Sequence, residues 1–300
     1  MDRRSLLRAA EDRLAAAGVA SPAHDASALL AHVLGTTRGR LALVTEVTEE
    51  QAAAFDALVV RRAAREPLQH LTGVAYFRYG EVAVGPGVFV PRPETELLAG
   101  WAVDHLTHAS RHPLSGAEPP VVVDLCTGSG VIAKAIAEEV PWARVHAVEL
   151  DEGAHAWAER NLAGSGVDLR HGDLATAFDD LLGTVDVVVS NPPYVPLEAW
   201  ESVAAEARDH DPHLALFSGQ DGLDAIRALE VRGAVLLKQG GVIAVEHADV
   251  QGESAPAVFA ATGRWEEVRD HEDLAGRPRF LTARRGSPPR RYPSGARMTG

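Results

Sequence analysis

Val121-Val122-Val123-Asp124-Leu125-Cys126-Thr127-Gly128-Ser129-Gly130-Val131 reads as a β-strand that runs through a tight glycine turn into a helix. In open α/β sheets, ligands bind at the carboxyl ends of strands near the switch point, and glycines there let the backbone approach them closely. The stretch is therefore a nucleotide-type loop. Outward from it, further runs rich in Val and Ile alternate with amphipathic helical patterns: Arg144–Leu150, Val167–Arg170, Val185–Ser190 and Gly241–Glu246. Strand, helix, strand, repeated, predicts an α/β doubly wound parallel sheet with helices on both faces. Glu149 closes the second run 19 residues after Gly130, where an acidic residue binds ribose hydroxyls.

Gly128-x-Gly130-x-x-Ala133 also satisfies a relaxed dinucleotide fingerprint, so hydride transfer with a nicotinamide cofactor stays open on this loop alone. Asp124 leans the other way, because D-x-x-x-G-x-G resembles the loop of S-adenosylmethionine (AdoMet) methyltransferases. A carboxylate there suits a cationic sulfonium and amino group, whereas an anion-binding helix N-terminus has little use for it. A tight turn with Asp124 as a helix-start carboxylate is the other reading of that residue. After the third run, Gly172-Asp173-Leu174 suits an adenine, with Asp173 accepting from the exocyclic amine and Leu174 covering the ring. A helix N-cap Asp followed by a core Leu fits the same residues.

Ser190-Asn191-Pro192-Pro193-Tyr194-Val195, after the fourth run, is the most informative stretch for chemistry. Neither proline has an N–H, so the loop offers acceptors, chiefly the Asn191 side-chain oxygen and the Pro192 carbonyl. Such a pair suits a substrate –NH₂. A planar amide or aryl amine is a poor nucleophile, and two acceptors on its hydrogens orient the nitrogen without first removing a proton. Methyl transfer from a sulfonium then proceeds in line, catalysed by positioning and electrostatics. Tyr194 walls the pocket. The alternative is a structural turn in which two prolines end a strand.

The 300 residues carry a net charge of −13, which argues against wrapping an anionic polymer by bulk charge. Charge is uneven: residues 1–85 are neutral, 86–283 carry −18, and 284–300 carry +5. The first part is Ala- and Leu-rich with helical spacing, and Ser21-Pro22 and a Thr48/Gln51 capping box are start signals. Val74 to Val84 reads as a β-hairpin linker. The expected organisation is a helical substrate-docking domain over 1–73, a hairpin and linker over 74–93, a catalytic domain over 94–283, and a disordered Arg-rich tail over 284–300. Cys126 is the single cysteine, and no zinc-type Cys/His quartet exists. A reduced, cytoplasmic setting is expected, with no signal peptide, no membrane span and no metal. Asp209-His210-Asp211-Pro212-His213 could bind a metal by spacing but reads as a solvated loop. Glu246 and His247 read as a satisfied buried pair.

Asn191-Pro192-Pro193-Tyr194 resembles the loop of amino-methyltransferases, which include adenine-N6 enzymes of DNA and RNA and glutamine-N5 enzymes of proteins. Further stretches resemble the peptide chain release factor N5-glutamine methyltransferases: Glu66-Pro67-Leu68-Gln69-His70-Leu71-Thr72-Gly73, Phe89-Val90-Pro91-Arg92-Pro93-Glu94-Thr95-Glu96-Leu97-Leu98, and Asp124 to Gly130. The resemblance spans nearly everything except the tail, and it implies a Rossmann-like AdoMet methyltransferase fold. It implies that Cys126, Thr127, Gly128, Ser129 and Gly130 hold AdoMet, with Glu149 on the ribose and Leu174 against the cofactor. Asn191 to Tyr194 would bind the substrate glutamine, Phe89 would flank it, and Asn191 would also border the cofactor. One departure is Cys126, where that family usually has Gly; its Cβ restricts how near the backbone comes to the cofactor.

The expected function is therefore N5 methylation of the Gly-Gly-Gln glutamine of class I release factors, by a cytoplasmic monomer with no direct nucleic-acid contact. Adenine-N6 methylation is the alternative, against which stand the acidic catalytic segment and the lack of a basic recognition domain. A nicotinamide oxidoreductase has no use for the Asn191 loop. A non-catalytic release-factor or ribosome-binding module is the remaining class.

Overall fold

The computed structural model describes residues 1–109, 118–202 and 204–287. Four helices open the chain: α1 (Arg3–Ala16), α2 (Pro22–Val33), α3 (Glu49–Ala63) and α4 (Leu68–Thr72). Asp2 caps α1 by accepting from the Ser5 amide at 2.9 Å. Thr48 and Gln51 close the expected capping box on α3, with reciprocal bonds of 3.0 and 3.2 Å. Pro22 opens α2, but the Ser21 side chain makes no capping bond. Leu14, Leu29, Leu30, Phe55 and Val59 are buried together, so these helices own a separate core.

Strands β1 (Val74–Phe77) and β2 (Gly80–Ala83) pair as the expected antiparallel hairpin. They do more than link. Ala75, Phe77, Val82 and Val84 are buried in the same core as α5 (Thr95–Ala109) and α6 (Val131–Glu139). Arg78, in the hairpin turn, donates to both carboxylate oxygens of Glu139 at 2.5 and 2.6 Å.

The main sheet has seven strands: β3 (Val121–Leu125), β4 (Arg144–Glu149), β5 (Asp168–His171), β6 (Val185–Ser190), β7 (Leu237–Glu246), β8 (Trp265–Glu272) and β9 (Pro278–Arg285). Their order is β5-β4-β3-β6-β7-β9-β8. The five parallel strands are those read from the sequence; β9 runs antiparallel to both β7 and β8. The last two were not anticipated, because β8 spells WEEVRDHE and lacks an apolar alternation. Such charge suits an edge strand, where it blocks pairing with another chain. Arg284 and Arg285, read with the tail, instead end β9, and Arg285 donates to the Ala234 carbonyl at 2.9 Å. The rest of that tail, from residue 288, lies outside the described residues.

Every residue of β3 is buried, and alternate residues serve two cores. Val122, with Val187 and Ala244, packs on α5, α6 and α7 (Glu152–Leu162). Val123 and Leu125, with Ile243, pack on Ile226 and Leu229 of α9 (Asp224–Leu236) and Phe259 of α10 (Ser254–Ala260). Strand order reverses between β3 and β6, so a crevice opens above their carboxyl ends. The helical domain reaches its rim through α8 (Ala205–His210): Glu206 accepts from Arg62 at 3.0 Å and Arg65 at 2.7 Å, and Arg62 also donates to Asp25 at 2.8 Å.

Candidate active site

A cleft of about 910 Å³ occupies that crevice and extends to the helical domain, where Ser21, His24 and Arg62 line it. Its sheet end is built by the loop after β3. Cys126 at φ 63°, Gly128 at φ 58° and Gly130 at φ 82° all lie in the left-handed region, which makes the tight turn. A side chain at Gly128 would meet nothing within 4 Å, whereas one at Gly130 would press on Leu162 at 3.0 Å. Gly128 thus borders open space, and Gly130 allows α6 and α7 to pack. Cys126, Thr127, Gly128 and Ser129 line the cleft; Gly130 does not.

Glu149, at the end of β4, binds this loop directly. Its Oε2 accepts from the Gly128 amide at 2.8 Å, and its Oε1 accepts from the Leu150 and Asp151 amides at 2.9 Å each. The carboxylate lines the cleft and keeps lone pairs for a ligand hydroxyl. Asp124 behaves differently from the sulfonium contact considered for it. It is fully buried, does not line the cleft, and its Oδ2 accepts from the Thr127 hydroxyl at 2.6 Å and the Ala133 amide at 3.1 Å. Ala133 is in the first turn of α6, so Asp124 is the helix-start carboxylate. Burial pushes its pKa up to about 7, against the bonds from Thr127 and Ala133. Burial, with Glu149 and Asp124 beside it, also pushes the Cys126 thiol up, so no thiolate nucleophile forms. Asp173 and Leu174 line the same end of the cleft, and Asp173 also accepts from the Ala175 amide at 2.8 Å.

The loop after β6 forms the far wall. Asn191, Pro193 and Tyr194 line the cleft; Pro192 is buried behind them, and its carbonyl meets no hydrogen-bond donor among the described residues. The Asn191 amide nitrogen donates to the Thr95 hydroxyl at 3.1 Å, which leaves its oxygen as the free acceptor. The Tyr194 hydroxyl donates to Glu246 at 3.3 Å, and its carbonyl accepts from Gln251 at 3.1 Å. Burial, reinforced by Glu246, pushes the Tyr194 phenol up, so it stays protonated.

Phe89 lines the cleft, with the Arg92 guanidinium 4.9 Å over its ring. Arg92 in turn donates to Asp211 at 2.8 Å. The side chain of Asp211 is fully buried, which corrects the solvated-loop reading at that residue, while Asp209 and His213 are exposed; burial raises the Asp211 pKa to about 6. Among the described residues, no group of three or more His, Cys, Asp and Glu could hold a metal ion, and no helix is long and apolar enough to cross a membrane. Glu246 and His247 are not a pair: His247 faces Asp270 at 2.8 Å, while Glu246 faces the reaction loop.

Residues 5–73 match the PrmC N-terminal domain, and residues 122–210 match a methyltransferase domain. The release factor glutamine methyltransferase of Streptomyces coelicolor is 57% identical over 283 residues, 93% of this chain and 96% of that one. The chain belongs to the release factor glutamine methyltransferase family. Its counterpart in Mycolicibacterium smegmatis is 47% identical over 285 residues, 94% of this chain and 97% of that one. The hMettl16 catalytic domain, solved with an RNA hairpin, shares the fold alone, with a TM-score of 0.52 at 12% identity over 80% of this chain and 83% of that one.

In this release factor glutamine methyltransferase, four supporting residues escape a sequence reading. Thr95, Glu246 and Gln251 hold the reaction loop, and the Asn161 amide joins β2 to the glycine loop through Ala83 and Ser129. Thr95 had a signal, since it lies within the Phe89–Leu98 stretch, and Glu246 was legible only as a buried residue beside His247.

Proposed function

We propose that the protein transfers the methyl group of AdoMet to the side-chain amide nitrogen, N5, of the glutamine in the Gly-Gly-Gln loop of class I peptide chain release factors. It does so as a cytoplasmic monomer that makes no direct nucleic-acid contact. The observation that carries this reading is Asn191: with its NH₂ tied to Thr95, its oxygen is left to accept from a substrate –NH₂.

The residues fit AdoMet. Gly128 borders open space, Glu149 is preoriented by three backbone amides with lone pairs left for ribose hydroxyls, and Asp173 and Leu174 suit the adenine. When bound, AdoMet supplies an electrophilic methyl on a sulfonium. Asn191 Oδ1 and the Pro192 carbonyl accept from the two hydrogens of the glutamine amide and aim its nitrogen into the cleft. Phe89 and Tyr194 flank the amide. No general base is assigned: Tyr194 and Cys126 both hold their protons, and positioning lowers the barrier. The amide proton leaves to water after the new N–C bond has formed.

Residues 1–73 dock the factor, and the Arg62–Glu206–Arg65 ion pairs fix that domain beside the cleft. Methyl transfer from labelled AdoMet is expected with a class I release factor and absent with adenine-containing DNA. Label on the DNA alone would contradict the reading.

A further inference from the structure

Phe89 flanks the substrate amide, yet it stands on a loop. Val88 and Val90 on either side of it are fully buried and anchor the backbone, while the Phe89 ring is half-buried and lines the cleft. No helix or strand sets its direction. Among the described residues, the one group stacked on the ring is the Arg92 guanidinium, 4.9 Å from its centroid.

A flexible arginine is by itself a poor prop, because cation–π attraction at a partly exposed site is no larger than the rotamer freedom lost in holding the side chain still. The structure supplies a second hold: Arg92 Nη2 donates to Asp211 Oδ2 at 2.8 Å. Asp211 is itself fixed, since its amide donates to the Ala207 carbonyl at 2.9 Å and closes α8. Its side chain is 0% exposed, and the bond from Arg92 is the single hydrogen bond that this side chain makes among the described residues. A buried carboxyl with one partner is costly, so its place needs a reason. The guanidinium is planar: with Asp211 at its edge and the Phe89 ring beside it, it is held from two directions at once.

We propose that Arg92 is a positioning residue: held by Asp211, it covers Phe89 and fixes the angle at which that ring flanks the glutamine amide. Arg92 acts on the substrate through Phe89. A ring free to turn lets the amide nitrogen drift off line, and such a loss shows in kcat and not in cofactor binding. The inference deepens the proposed function and rests on it.

Arg92→Met removes the cation and its hydrogen bond while keeping an unbranched side chain, and Asp211→Leu removes the carboxyl that would otherwise be left buried and unpaired. The variant carrying both changes is expected to methylate the release factor with a kcat about tenfold lower, with the AdoMet Kd within about twofold of wild type. In a Phe89→Ala background the same two changes cost less than about twofold further, because the ring they steer is gone. Arg92→Lys keeps a cation within reach of Asp211 but lacks the planar face, so it recovers only part of the rate.

An unchanged kcat in the double variant overturns the proposal. So does an undiminished loss in the Phe89→Ala background, which would mean that Arg92 meets the substrate itself, or a parallel loss of AdoMet affinity, which marks a packing role. Should the double variant fold poorly, Arg92→Lys decides, and a wild-type rate from it overturns the proposal. Wild type that leaves the factor unmethylated overturns the proposed function and this inference with it; wild type that methylates beside an unaffected double variant overturns this inference alone.

Discussion

The Gly128 amide donates to Glu149 Oε2 at 2.8 Å, which makes the glycine loop and the acid at the end of β4 one unit. Glu149 does not wait for a ribose to be oriented. Glu149→Gln has one acceptor oxygen where the carboxylate shares three backbone donors between two, so at least one amide loses its partner. Charged hydrogen bonds contribute about 1.5–3 kcal/mol each, so AdoMet Kd should rise roughly 10- to 100-fold by calorimetry. An unchanged Kd would contradict the cofactor assignment.

Asn191→Ala removes the acceptor aimed at the substrate amide while leaving the loop on Glu149 intact. It should lower kcat on the release factor by about a hundredfold to a thousandfold, the range seen when one preorganised polar contact to a reacting group is lost. AdoMet affinity should stay within about threefold. Equal losses in both would mean that Asn191 serves cofactor binding first.

Much of this arrangement was legible in the sequence, and the parts that were not share a physical cause. The inner parallel strands β3, β4, β6 and β7 bury most of their residues, so their Val and Ile runs announce them, whereas β5 at the edge is only half-buried. Strand β8 is solvated at the sheet edge and carries charges that read as loop. Glycine turns and the Asn191 loop are local patterns, hence visible. Glu246 and Asp211 act through partners 52 and 119 residues away, Tyr194 and Arg92, and no local pattern reports such pairs. Asp124 was legible as a site residue but not as to its side: spacing places it at the strand end, and only packing shows that it faces α6.

Cys126 occupies a left-handed backbone position at φ 63°, which strains a residue with a Cβ by about 1 kcal/mol. Cys126→Gly should therefore keep or raise the Tm, although glycine ordinarily weakens a fold through the unfolded chain. Cys126→Val adds β-branching at the same φ and should lower the Tm by several degrees, since about 1 kcal/mol shifts a large domain by roughly 2–4 °C. A Gly variant less stable than the Val variant would refute this reading.

Asp124 makes stability depend on pH with a definite sign. Burial raises its folded pKa to about 7 from the ordinary carboxylate value of 3.8, so the folded state holds the proton more tightly than the unfolded chain. Its contribution is fully present below about pH 4 and is lost as pH rises through about 7. Asp124→Asn keeps an acceptor for Thr127 and Ala133 without a charge to bury. The fall in Tm between pH 6 and pH 8 should be smaller in this variant than in wild type, and an equal or larger fall would count against the assignment.

Removing residues 1–73 should spare AdoMet binding, because the hairpin that begins at Val74 completes the catalytic core and remains. Methylation of the intact factor should drop by about a hundredfold or more with the docking surface gone. Equal rates with and without these residues would remove the docking role.

The central claim is tested most directly by fragment mass spectra of an unmethylated class I release factor after incubation with the protein and AdoMet. One added methyl is expected, confined to the glutamine of the Gly-Gly-Gln loop and absent when Asn191→Ala replaces wild type. A methyl on any other residue, or the same yield from the Asn191→Ala variant, would contradict the account.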